Sequence, residues 1–525
     1  MPFKPSRRKF LKRSGLALGA AALPAWLLER EEAQAAAIDK RALSDLALTL
    51  ARQAGATYAD IRINRYRYES ISAREKQVRE VARRQSFGFG VRVLLNGAWG
   101  FAASRQVTPE AVGRMAALAV EIARANARHQ RRSIQLAPAP AVVTTWKSAF
   151  EKDPFDIPLD PKIQFLLKIN ETALKVKGAS FVDSSLHFIN EQKFYASTDG
   201  SRIEQYIIRT APRLSVTAVD ARQGDFQERD SLAGPKATGY EYLEQYPFVA
   251  EAEQAAHEAV EKLKARSVAP GRYDLVLHPS HLWLTIHESV GHPTELDRAL
   301  GWEANFAGTS FLTPDKIGKF QFGSKLVNFF ADRTQPQGLA TVGYDDDGVP
   351  ADRWYLIKDG IFVDWQTTRE LAAIMGHAAS HGCAHAEEWG SVPFARMPNV
   401  SLEPAKNSVS LDDLLADVKN GILIYGDGSF SIDHQRYNFQ FGGQTFWEIK
   451  DGKKGAMLRD VAYQSRTPDF WGACDGLGGE ATYELGGALG DGKGEPMQSN
   501  AVSHGCPVAR FRQINVLNTA SRKGA

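Results

Sequence analysis

Dipeptides that favour left-handed backbone at successive positions recur along the chain, among them Asn96-Gly97, Asp199-Gly200, Asp347-Gly348, Asp359-Gly360 and Asp451-Gly452. Such pairs close tight hairpins, because their twist matches that of the strands they join. β-Branched and aromatic runs surround Asn96-Gly97 and Asp199-Gly200, which are read as hairpins between strands. The last three fall in a Gly-rich second half that reads as mostly antiparallel β. The triple Asp345 to Asp347 lacks the ligand spacing of a calcium loop and is read as a solvated hairpin.

Helices punctuate this pattern at 38–54, 161–178, 245–266 and 411–419. A further helix opens at "VTPEAVG", where Thr108 can cap, Pro109 suits the first helical position and Glu110 suits the positive end of the dipole. Residues 133–150 read as a linker, and Pro270-Gly271 marks a boundary. The expected organisation is α+β in two domains: an N-terminal mixed domain over 38–268, and a C-terminal, mostly antiparallel domain over 270–518.

The first 35 residues stand apart. Arg7-Arg8, then Phe10-Leu11-Lys12, an apolar stretch from Leu16 to Leu28 and "AQA" at 33–35 resemble a twin-arginine export signal. They imply export in the folded state and a periplasmic protein. Seven of the 64 Lys/Arg and three of the 61 Asp/Glu lie in this segment, so the mature chain carries −1. The apparent basicity belongs to the signal, and nothing calls for nucleic acid. Past residue 40 no apolar run is long enough to span a membrane. The three cysteines, Cys383, Cys474 and Cys506, leave at least one unpaired, which in an oxidising compartment suggests a thiolate held by a metal.

The chemistry concentrates in "TIHESVGHPTELD", residues 285–297. Zinc peptidases use H-E-x-x-H, with both histidines on one helix face and the Glu acting on bound water. Here His287 and His292 are one residue further apart. On a helix over 281–292, capped by Ser280 and carrying the stripe Leu282, Ile286 and Val290, they stand roughly 140° apart. Two local routes bring them together. Gly291 and the pre-proline position of His292 allow the helix end to fray and swing back, or a π-type turn realigns i with i+5.

"HESVGHPTELDRALGWEANFAGTSF" resembles the signature of the TldD/PmbA family of metallopeptidases. The likeness extends to residues 65–104, to "YDDDGVPADRWYLIKDGIFVDWQTTRELA" and to "PFARMPNVSLEP", in the same order along the chain. The resemblance implies a two-domain TldD/PmbA-like fold and a zinc-dependent peptidase. His287, His292 and Cys474 of "FWGACDGLGG" would hold the zinc, with Glu288 as general base; Cys383 and Cys506 are the rival thiols, and Glu295 is a weaker candidate for the carboxylate role or a partner of a histidine. It also implies unfolded or short peptides as substrates, held as an added strand, and a dimer, either with itself or with a family relative. The alternative is a non-catalytic peptide-binding or scaffolding subunit of such a complex.

Overall fold

The computed structural model describes residues 38–520, so the export signal lies outside the described residues. The N-terminal part is one seven-stranded sheet. Strands Tyr58–Arg74, Gln77–Leu95 and Ala98–Ser104 form a meander, continued by Ala179–Ser197 and Arg202–Asp220. Asn96 (φ 52°) and Gly97 (φ 74°) both take the left-handed conformation between Leu95 and Ala98, as a primed two-residue turn requires. Helix Pro109–Ala127 begins where its cap signals place it, with Thr108 Oγ1 accepting from the Ala111 amide. The expected linker is only partly one. Val143–Lys147, along which exposure alternates, pairs in parallel with residues 202–206 at the sheet edge, recruited by a distant strand.

The C-terminal part is built on an eight-stranded sheet that closes on itself. Strand Gly271–Leu277 lies between Asn420–Ile432, its parallel neighbour, and Ala509–Asn518, which is antiparallel. Val461–Arg466 and Asn438–Lys450 complete the ring, since Asn438–Lys450 also pairs with Asn420–Ile432. Asp359-Gly360 and Asp451-Gly452 close their hairpins with positive φ at both positions. A separate hairpin, Glu484–Lys493 with Gln498–Cys506, lies beside the motif helix. Among the described residues no helix is long and apolar enough to cross a membrane.

Asp345, Asp346 and Asp347 do not form a solvated hairpin. All three are buried against the N-terminal sheet. Arg92 bridges Asp347 and Asp60 at 2.6 Å each, and Lys193 holds Asp346 at 2.7 Å. The partners come from strands hundreds of residues upstream, so a local reading of the acidic run misses them. Truncating Arg92 would leave two carboxylates in a dry interior with their cation gone. Arg92→Ala is expected to cost about 3–5 kcal/mol, read as a lowered urea midpoint with unchanged slope.

Candidate metal centre

The strand Gly271–Leu277 delivers the chain to a buried helix, Pro279–Ile286. The cap is His278 rather than Ser280: its Nδ1 accepts the Ser280 amide, and Pro279 takes the first helical position. Leu282, Ile286 and Val290 form the expected stripe and are fully buried in the main core. The helix then widens. His287–Gly291 is a single π turn, with the His292 amide donating to the His287 carbonyl. That bond runs from i to i+5, so the inserted residue is absorbed and the two imidazoles meet with ring centroids 4.5 Å apart.

Neither Gly291 nor Pro293 acts through backbone freedom. Gly291 (φ −58°) and His292 (φ −63°) are both right-handed helical, and a short 3₁₀ turn follows over His292–Thr294. Gly291 is needed for space: a Cβ there would stand 2.4 Å from Met397 Sδ. The widened turn frees the carbonyls of Val290 and Gly291. Thr294 Oγ1 donates to both, at 2.8 and 3.0 Å, and Gln366 Nε2 donates to Gly291 at 2.6 Å. Gly291→Ala is expected to lower stability by about 1–3 kcal/mol in thermal unfolding, with part of the loss recovered by adding Met397→Ala.

His287 and His292 share their cluster with Asp491, the one group of three such ligand-type residues within 4.8 Å among the described residues. Asp491 sits in the glycine-rich strand "ELGGALGDGK" of the hairpin beside the motif helix. A Cβ on Gly486 would stand 2.3 Å from Trp283, and one on Gly487 2.4 Å from the Val502 carbonyl. The glycines thus let the strand lie flat on the helix, and a bulge between Ala488 and Asp491 interrupts its register. Asp491 Oδ1 lies 3.7 Å from His287 Nε2 and 3.6 Å from His292 Nε2.

The other ring nitrogens are committed elsewhere. His504 Nδ1 is 2.7 Å from the Val400 carbonyl, which can only accept, so its Nε2 is the acceptor for His287 Nδ1–H at 2.8 Å. His292 Nδ1 lies 2.9 Å from Glu295 Oε2 and 3.0 Å from Arg298 Nη2, and Lys493 and Arg298 hold the Glu295 carboxylate in turn. Both Nε2 atoms therefore face the Asp491 oxygen, an arrangement that a proton or a shared metal cation between them would satisfy. Burial pushes the His292 and His504 pKa values well below the usual range, and neutral imidazole is the form that binds metal. Burial also opposes a charge on His287, but the Asp491 carboxylate 3.7 Å away outweighs this and raises its pKa. Burial works against Asp491 too, yet its cationic surroundings, His287 and Arg396 among them, hold its carboxyl well below the carboxylate range.

The donor set fits a tetrahedral divalent ion. Ligand atoms about 2.0–2.2 Å from such an ion stand about 3.3–3.6 Å from one another, close to the separations observed. The set differs from the one the resemblance implied. Cys474 is absent from the cluster. Its Sγ has a contact with the Gly476 carbonyl at 4.0 Å, and burial pushes its pKa up to about 12. Cys383 and Cys506 are likewise buried free thiols with raised pKa values. Burial favours the neutral thiol at all three, and each packs as a small apolar side chain.

Glu288 stands between the two ligands in sequence and is 4% exposed. Its Oε2 accepts from Arg436 Nη1. Glu295 is a partner of His292 rather than a rival base. Asp491, His504 and Arg436 were not found from sequence, and the only local signal was the glycine run around Asp491.

Residues 59–123, 152–266 and 270–518 match, in order, the family models for PmbA/TldA metallopeptidase domain 1, the central domain and the C-terminal domain. The chain is 28% identical over 463 residues to a metalloprotease of Methanothermobacter thermautotrophicus, covering 88% of this chain and 96% of that one. It is 22% identical over 480 residues to a zinc metalloprotease TldD homolog of Saccharolobus solfataricus, covering 89% and 98%. In structure it is similar to TldE from Thermococcus kodakarensis, with a TM-score of 0.70 at 15% identity over 89% of this chain and 98% of that one. At that identity the likeness speaks for the fold alone.

Proposed function

Since the chain belongs to the PmbA/TldA metallopeptidase family, we propose that it is a zinc-dependent peptidase acting on unfolded or short peptides. The observation that carries this reading is the convergence of two imidazole Nε2 atoms on one carboxylate oxygen at 3.6–3.7 Å, next to a buried glutamate. His287, His292 and Asp491 would hold the ion. When bound, zinc supplies a Lewis acid for the scissile carbonyl and brings the pKa of a bound water towards neutrality.

The chain's own residues do the rest. Glu288 takes the proton of the attacking water and delivers it to the leaving amine. His504 sets the tautomer of His287, and Glu295 and Arg298 hold the His292 ring by its Nδ1, so that both Nε2 atoms face the ion-binding position. Lys493 and Arg298 keep Glu295 ionised at the back of the site. The metalloprotease relatives support a peptidase, and the intact Glu288 weighs against a purely binding subunit.

The resemblance of residues 1–35 to an export signal supports work in the periplasm, and the family resemblance supports a homodimer or a pairing with a family relative. A site without a thiolate suits that compartment, since no ligand in it is open to oxidation. The test is hydrolysis of an unstructured peptide by the mature protein. Activity that is lost on chelation and restored by zinc is expected. Cleavage that survives complete metal removal would overturn the reading.

A further inference from the structure

The peptidase reading leaves one part of the site unassigned: the group that receives charge on the carbonyl oxygen. Arg436 has the features such a group needs. It lies in the turn between strands Asn420–Ile432 and Asn438–Lys450. Its backbone is left-handed (φ 65°), a conformation uncommon outside glycine, Asn and Asp. The turn is pinned from several directions. Asp433 accepts the amides of Tyr437 and Asn438 through its carboxylate and that of Arg436 through its carbonyl, and Thr467 Oγ1 donates to the Arg436 carbonyl. Backbone held this firmly in a disfavoured region is a device for aiming a side chain.

The guanidinium is under-used where it is aimed. Nη1 holds Glu288. Nη2 has only a long contact, 3.4 Å, to the Ala307 carbonyl, and the buried Nε has no partner. The other cations around the cluster are engaged more fully. Lys493 makes three bonds at 2.9 Å, and Arg298 is tied to Glu295 and the Ala307 carbonyl. Arg396 also keeps an unpaired Nε, but its side chain is wholly enclosed behind Asp491. Arg436 retains 15% side-chain exposure, so part of its guanidinium side chain is open to solvent. Its charge also acts on His287 and His292, which places it in the field of the ion-binding atoms.

We propose that Arg436 is a catalytic residue that holds Glu288 with one arm and, with its free Nε–H and Nη2–H, receives the scissile carbonyl oxygen as it becomes an oxyanion. This rests on the peptidase reading. In the step, the water oxygen bonds to the carbonyl carbon, the π pair moves onto the carbonyl oxygen, and the water proton passes to Glu288. Collapse re-forms the carbonyl, breaks the C–N bond and returns that proton to the amine. One water is consumed, and Arg436 remains a cation throughout. Preorganised donors of this kind act on the transition state rather than on the bound substrate.

The experiment compares the zinc-loaded parent, Arg436→Ala, Arg436→Lys and Glu288→Gln for peptide hydrolysis. It also compares the same proteins, and the Glu288→Gln/Arg436→Ala double variant, for calorimetric binding of a phosphinic peptide, whose charged oxygens mimic the oxyanion. Arg436→Ala is expected to lose about 10²–10³-fold in kcat with little change in KM. It should bind the phosphinic peptide at least about tenfold more weakly while keeping its metal, and Arg436→Lys should recover part of both losses. The double variant separates donation from mere positioning: a donor still loses affinity when Glu288 is already neutral, whereas a positioning group does not. Unchanged phosphinic-peptide affinity on removing Arg436 in the Glu288→Gln background would overturn the proposal. A parent without metal-dependent hydrolysis would overturn the peptidase reading instead, and the binding arm would still decide whether Arg436 receives the anion.

Discussion

Asp491→Ala is expected to lose the bound metal, while Cys474→Ser keeps it. The parent should carry about one divalent ion per chain by elemental analysis. Removing a hydrogen-bond partner behind a metal ligand typically costs 10–100-fold in affinity, so His504→Ala should fall in that range. Removing Asp491 takes away a ligand atom itself and leaves two imidazoles, so its loss should exceed about 100-fold in competition with a chelator. Asp491 also holds Arg396 through Oδ2 at 3.1 Å, and truncation disturbs that contact. Asp491→Asn controls for this, because it retains an oxygen for Arg396 but offers the ion no charge. Both variants should lose metal. If Cys474→Ser lost the ion and Asp491→Asn kept it, the thiol set implied by family resemblance would stand, and the cluster described above would be a structural ion network.

The contrast between Cys474 and Asp491 shows what the sequence makes legible. The i to i+5 spacing of His287 and His292 is a local quantity, and helix geometry alone demanded either a frayed end or a π turn. The structure uses the π turn, and the reason is again local: the His292 amide reaches the His287 carbonyl without leaving right-handed helical backbone. Primed turns and the Thr108 cap were legible for the same reason, being decided within four residues.

The third ligand depends on which strand lies against the motif helix, and no periodicity carries that. In sequence, only thiols are weighed for this place, and a second glycine-rich stretch, which carries an aspartate, is passed over. What separates the two stretches is steric. Gly486 and Gly487 let their strand press on Trp283 and Val502, whereas Cys474 pairs with Phe511 in a strand away from the cluster. The acidic run at 345–347 was misread for a related reason. Charge in sequence signals solvent unless partners exist, and Arg92 and Lys193 are supplied by another sheet.

Glu288→Gln is expected to lower kcat by about 10²–10⁴-fold, the range for removing a positioned general base, with metal content unchanged. The substitution suits the question because glutamine preserves the volume and still offers Arg436 an acceptor, so the turn at 433–438 keeps its partner. Glu288 is not a ligand in the cluster, so the ion has no reason to leave. Loss of activity with loss of metal would describe a damaged site; loss of activity with metal retained describes chemistry performed by the carboxylate. Glu288→Asp sharpens the result. It keeps the charge but withdraws the oxygen by one methylene, and rates fall steeply when a reacting group is displaced by about 1 Å. It should therefore also be slow, despite an ion pair of the same sign with Arg436. A Glu288→Gln enzyme that cleaves peptides at the parent rate would remove Glu288 from the mechanism. The buried glutamate would then serve only to neutralise Arg436, and the base would have to be sought elsewhere.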